Sequence, residues 1–426
     1  MTGRPRSSSP RLRGHLIRTA VAGALLASGC GVLPGVSGGS REPVTVMTWA
    51  PGSTGSEGPR TVDMAGMPAM ARTYAAWINE QGGIDGHELR VLTCDEGDTA
   101  VGASACARRA VDEDVVAVVG SYSRYGRAFL APLEAAGIPY IGGYGASPDE
   151  FTSYLSYPVN GGQSALVAGN GKQLARDCER VALVRPETLV GDGMPALLDE
   201  SLTAAGRPAV HDVPAPEEAT SYDTQAAEAL REAGGGCVTA VLGQGTETFF
   251  DSFRRLEPED GGARISSVLG SVGQSLIDRT GGRKSPFEGA YVTGWYPESG
   301  DARWEEMRRV IRTHAFDDNR IDPEDTGVQT TWIAYTVLKA VVEAMDRSEI
   351  TAGGIGVSLN RGTRVDTGGL TPVLRWRYAD MVGSAAYSRI ANAQVTFQVV
   401  RDGRLVTERK GFVDVSETLV DARLRG

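Results

Sequence analysis

Serine hydroxyls and bare backbone amides are the groups this sequence offers for chemistry. Two short segments concentrate them, Gly120-Ser-Tyr-Ser123 and Tyr144-Gly-Ala-Ser147. Each follows an apolar run that reads as a buried strand. Both therefore fall just beyond the carboxyl ends of strands, where open parallel sheets bind ligands. Ser147-Pro-Asp-Glu150 has the spacing of a capping box, with serine at the N-cap, proline at N1 and glutamate at N3. A helix start presents unpaired N–H groups that favour an anion. Ser121, Tyr122, Ser123, Tyr144, Gly145, Ala146 and Ser147 are thus the candidate shelf for a small ligand. Ser147 is expected to cap its helix whether or not it also meets that ligand.

Catalytic constellations are missing. There is no His-Glu-x-x-His, and Gly169-Asn-Gly-Lys172 lacks the spacing and hydroxyl of a phosphate loop. Gly35-Val-Ser-Gly-Gly39 fits the serine-hydrolase spacing, but without the strand before it and the helix after it that the nucleophile needs. Residues 317–325 carry the charge of a calcium loop but no glycine at the sixth position, and read as a solvated acidic loop. The expectation is a binding protein with no catalytic residue, metal or cofactor.

Composition points the same way. Hydrophobic residues make up 41% and charged residues 23% of 426, as in a soluble two-domain chain. The first 29 residues hold five arginines (4, 6, 11, 13 and 18) and no acid, which leaves 38 basic against 53 acidic residues beyond them. A surface that acidic repels phosphate backbones and disfavours nucleic acid as a partner. The arginines precede a short apolar run over 19–27 and then Ser28-Gly29-Cys30, the pattern of a secretory signal peptide. This junction resembles the lipobox of bacterial lipoproteins, with Ala27 where leucine is usual; Cys30 would then carry the lipid. The alternative is ordinary cleavage nearby. A glycine-rich stretch after Cys30 reads as a tether.

Cys94, Cys106, Cys178 and Cys237 remain, an even number with three ways to pair. Cys94 ends a strand and Cys106 lies in the next helix. Cys178 and Cys237 each precede a strand of one sheet. The expected bridges are Cys94–Cys106 and Cys178–Cys237.

These residues need an alternating scaffold, and the sequence supplies one. Strands are predicted over 44–48, 89–93, 115–119 and 138–141, with helices between them. In the first helix Met70, Tyr74, Trp77 and Ile78 form one apolar face, with Pro68 in the first turn. A second set follows, with strands over 181–184, 237–242 and 267–270; a strand over 290–293 and a long helix over 330–345 are expected to return to the first lobe, and 395–400 and 405–408 read as a hairpin around Asp402-Gly403. Strands alternating with helices imply α/β lobes with parallel sheets.

The order of segments resembles the leucine/isoleucine/valine-binding class of periplasmic substrate-binding proteins, from about 44 to 376. The residues that carry the likeness are Ile78-Asn-Glu-Gln-Gly-Gly-Ile-Asp-Gly86, the acidic Asp95-Glu96, Val118-Val-Gly-Ser121, Ala136-Gly-Ile-Pro-Tyr-Ile141 and Gly145-Ala-Ser-Pro148. The resemblance implies a type I fold of two Rossmann-like lobes joined by three crossovers. It also implies a ligand carboxylate gripped in the cleft by hydroxyls and amides, and an ABC permease as partner of a monomeric binding protein. The implied organisation is a signal peptide over 1–29, a tether over 30–43, a first lobe of 44–157 with 289–350, and a second lobe of 158–288 with 365–426.

The second lobe departs from that family. Its strand-end loops include Gln244 and Ser271 as candidate contacts. Ser271 and Val272 stand where the family has a glutamate for the ligand ammonium, and Leu189 or Val190 where it has a tyrosine. Glu187 and Glu247 are the available substitutes. The expected ligand is an amino acid, an amide or a related organic acid, taken up through an importer or else sensed by a lipoprotein without a transport role. The expected location is extracytoplasmic, anchored to the membrane by lipid.

Overall fold

A computed structural model describes residues 41–52, 62–243, 245–256, 262–316, 318–345 and 349–422. The predicted signal peptide, Cys30, most of the predicted tether and Gln244 lie outside them.

The first sheet contains β1 (Arg41–Ala50), β2 (His87–Asp95), β3 (Ala117–Val119), β4 (Tyr140–Ile141) and β5 (Ser156–Tyr157). They run in the order β2-β1-β3-β4-β5, all parallel. Helix Gly66–Glu80 buries Met67, Met70, Tyr74 and Ile78, and its Trp77 ring lies 5.3 Å from that of Trp332. The turn after this helix shows what its sequence is for. The Asn79 amide donates to the Leu89 carbonyl at 2.9 Å and accepts the Leu89 N–H at 2.8 Å, so one side chain serves both backbone groups of a β2 residue. At Gly83, with φ +79°, a Cβ would stand 2.0 Å from the His87 carbonyl oxygen, so only glycine fits.

The second sheet contains β6 (Val181–Pro186), β7 (His211–Ala215), β8 (Cys237–Ala240), β9 (Arg264–Val268), β10 (Tyr291–Gly294), β11 (Gln394–Arg401) and β12 (Arg404–Asp414). The order is β12-β11-β10-β9-β8-β6-β7. The last two strands form the expected antiparallel hairpin, and Asp402 and Gly403 at its turn both have positive φ, as a two-residue I′ turn requires.

Two expectations need correction. The strand predicted over 290–293 was assigned to the first lobe, but β10 pairs with β9 and β11 in the second sheet. A short buried run looks the same in either sheet, and the chain crosses after β10 rather than before it. The return to the first lobe therefore starts near 295, not at 289. Strand β7 was not foreseen; its Pro214 argues against a strand, yet β7 is an edge, where a missing N–H is tolerated.

The chain passes between the sheets around 158–162, 295–304 and 376–393, and buried hydrogen bonds knit these crossovers. Trp295 Nε1 donates to the Gly162 carbonyl at 2.8 Å, Trp376 Nε1 to that of Pro158 at 3.1 Å, and the Asn392 amide to that of Val159 at 3.1 Å. Asn160 Nδ2 donates to the Tyr296 hydroxyl at 3.0 Å. Both disulfides are present, Cys94–Cys106 tying β2 to helix Ala100–Asp112 and Cys178–Cys237 tying the segment before β6 to β8.

Candidate ligand cleft

The strand-end loops of the first sheet converge, but their hydroxyls face inward. Ser121 is fully buried and its Oγ accepts the Trp49 N–H at 3.1 Å. Ser123 is also fully buried, and its Oγ accepts the Tyr125 N–H at 3.1 Å. Ser147 is 1% exposed; its Oγ accepts the Asp149 N–H at 3.3 Å and donates to Asp149 Oδ2 at 3.2 Å. Burial of Ser123 means that a bulky residue there would press into the packing of the first lobe as well as block a ligand.

The expected helix after Ser147 is a single 3-10 turn, Pro148–Phe151, with the full capping box in place. So short an element has almost no dipole to offer an anion. A side chain takes the amides instead. Glu150 Oε2 accepts the Gly145 N–H at 3.2 Å and Oε1 the Ser147 N–H at 3.0 Å, and the Ala146 amide also bonds this carboxyl. The group packs so closely on the loop that a Cβ at Gly143 would lie 2.0 Å from Glu150 Oε2. Burial pushes the Glu150 carboxyl up to about 8, against the pull of these three amides.

Glu96, just past β2, is a second buried acid. It is 1% exposed and neither carboxylate oxygen has a hydrogen-bond partner of good geometry among the described residues. Burial raises it to about 7; the nearby Ser123 hydroxyl and Arg124 draw it down only in part, and Asp98 and Asp95 oppose them.

The face toward the second lobe is aromatic and apolar. The Tyr122 and Tyr144 rings lie 5.2 Å apart with their planes tilted by 54°, and Val62, Met64 and Ala146 pack around them. Tyr144 makes the link between lobes. Its ring meets Trp295 edge-on at 5.3 Å, its hydroxyl shares a hydrogen bond with Thr326 at 3.2 Å, and a Cβ at Gly270 would lie 3.2 Å from that hydroxyl. Burial pushes the Tyr144 phenol well up, so it stays neutral. On the second lobe Ser271 Oγ accepts the Gly243 N–H at 3.2 Å, joining the loops after β8 and β9. Glu247 pairs with Arg279 at 2.9 Å, and Glu187 is exposed. Leu189 after β6 is 92% exposed and Val190 47%.

Sequence reasoning missed Trp295 and Thr326. Trp295 follows a strand whose sheet was misassigned, and Thr326 starts a helix, Thr326–Met345, whose first turn was not recognised. In the acidic segment before that helix, Asp318 pairs with Arg320, and Asp325 caps the helix through the Val328 N–H at 2.9 Å. Among the described residues no three His, Cys, Asp or Glu side chains are grouped to hold a metal ion.

Residues 53–382 match the periplasmic binding protein family, and the chain belongs to it. The fold is that family's type I arrangement. It is similar to a substrate-binding periplasmic protein from Ralstonia solanacearum, at 17% identity and a TM-score of 0.67 over 86% of this chain and 100% of that one. A leucine-binding protein from Thermotoga maritima MSB8 is similar at 16% identity and a TM-score of 0.65 over 87% and 99%. A fatty acid ABC transporter substrate-binding protein from Thermomonospora curvata is similar at 13% identity and a TM-score of 0.68 over 88% and 94%. No curated protein matches the sequence.

Proposed function

We propose that the chain is an extracytoplasmic lipoprotein that captures a small solute between its lobes and delivers it to an ABC importer. The observation that carries this reading is the meeting of strand-end loops at Tyr144. This first-lobe ring reaches Trp295 and Gly270 beyond second-sheet strands, and three crossovers allow the lobes to hinge around it. The proposed ligand face comprises Tyr122, Tyr144, Gly145 and Ala146 from the first lobe, with Gly243, Ser271 and Trp295 from the second. Ser121, Ser123 and Ser147 position that face through their inward hydrogen bonds. Leu189, exposed just after β6, is assigned as a further apolar contact for the bound solute. Similar folds are named for leucine and for fatty acid transport, so the ligand is set by these residues rather than by the fold.

A thermal-shift screen of amino acids, amides, amines, polyols and fatty acids tests the reading, because a ligand of the native state raises the midpoint. A hit that loses its effect in Tyr144→Ala is expected. Hits indifferent to Tyr144 and Trp295 would place binding elsewhere.

A further inference from the structure

Glu150 has a consequence for which solutes can bind. Three successive amides, Gly145, Ala146 and Ser147, point at one spot, the kind of concavity that takes a carboxylate or phosphate. The spot already holds a carboxyl group, that of Glu150, bonded at 3.2 Å to Gly145 and 3.0 Å to Ser147 and lying flush on Gly143. The Ser147 hydroxyl that would complete an anion grip donates to Asp149 Oδ2 at 3.2 Å, and those of Ser121 and Ser123 are fully buried within the first lobe. A ligand carboxylate arriving here would find the amides taken and these hydroxyls out of reach. When Glu150 is ionised it would also meet a like charge, with Glu96 acting in the same sense. The nearby cations do not offset this: Arg124 is paired with Asp98 at 2.6 Å, and Arg127 is 93% exposed beside Asp149.

We propose that Glu150 is a specificity-determining residue: it fills the amide nest at 145–147 with its own carboxyl group, and the cleft selects solutes that present a neutral or cationic group to the first lobe. Amides, amines, polyols and apolar chains fit this requirement; a free α-carboxylate held at these amides does not. The inference rests on the solute-binding reading above for its relevance to uptake, but the nest itself is tested separately.

The test uses acetate as the stand-in carboxylate on the full mature chain. Glu150→Ala vacates the nest. Acetate should then bind at least about tenfold more tightly than to wild type and raise the midpoint by about 2 °C at roughly 100 mM, relative to chloride at equal ionic strength. A Glu150→Ala protein no more responsive to acetate than wild type overturns the proposal. A second measurement needs no variant. In wild type the amide resonances of Gly145 and Ser147 should follow the titration of Glu150 and stay unmoved by acetate; acetate-induced shifts at both amides overturn the proposal. If acetate behaves as expected yet no solute compacts the lobes, the uptake reading fails while the assignment of the nest stands.

Discussion

Replacing Glu96 by glutamine should make the protein more stable at pH 8 and leave it nearly unchanged at pH 4.5. Glu96 is 1% exposed, and burial raises its carboxyl from an ordinary 4.5 to about 7. Below about 4.5 the acid is protonated in folded and unfolded chains alike, and its contribution to stability is fully present. Between about 4.5 and 7 the folded chain holds a proton that the unfolded chain has released, so stability falls as pH rises. Above about 7 the folded chain must bury the charge. At about 1.36 kcal/mol per pH unit the interval from 4.5 to about 7 amounts to about 3 kcal/mol, an upper bound because solvent near the group screens part of the charge. Glutamine has the same shape and no charge to bury. Urea unfolding of both proteins from pH 4.5 to 8 measures the difference. The expected gap opens with pH to about 1–3 kcal/mol in favour of Glu96→Gln, and removing the Glu96 charge also eases ionisation of Glu150, which adds in the same direction. Parallel curves would refute the reasoning.

Removing the Cys178–Cys237 bridge, which spans 59 residues, should cost about 4 kcal/mol, and removing Cys94–Cys106, which spans 12, about 3 kcal/mol, each read from denaturant midpoints of the paired serine variants. Because Leu189 is 92% exposed, Leu189→Ala should change stability by less than about 0.5 kcal/mol yet weaken a closed-cleft ligand by about 1–2 kcal/mol, roughly tenfold by calorimetry. Cys30→Ser should shift the protein from the membrane fraction to the soluble fraction; unchanged retention on fractionation would count against lipid anchoring at that residue.

Much of the fold was legible because its signals are local. The apolar stripe of helix Gly66–Glu80, the turn residues Asp402 and Gly403, and the cysteines flanking strands each declare their structure within a few positions. What failed depends on where the chain goes next. The run at 290–293 reads as a buried strand in either lobe, and β7 carries a proline that only its edge position excuses. The site was half legible. Gly120–Ser123 and Tyr144–Ser147 do converge at strand ends, as parallel-sheet geometry dictates. Which way a serine points, however, depends on backbone N–H groups supplied from elsewhere, such as that of Trp49 for Ser121. The capping-box spacing announced that Glu150 would bond the Ser147 amide. It did not announce that Gly145 and Ala146 would bond the same carboxyl, because that requires the loop to curl around it.

Small-angle scattering with and without a saturating solute tests the central claim most directly. The solute is one that raises the thermal midpoint of the wild type and loses this effect in Tyr144→Ala. The account predicts a smaller radius of gyration on saturation, as lobes joined by three crossovers close over a ligand held beside Tyr144. An unchanged radius at full occupancy would contradict a cleft-closing solute-binding protein.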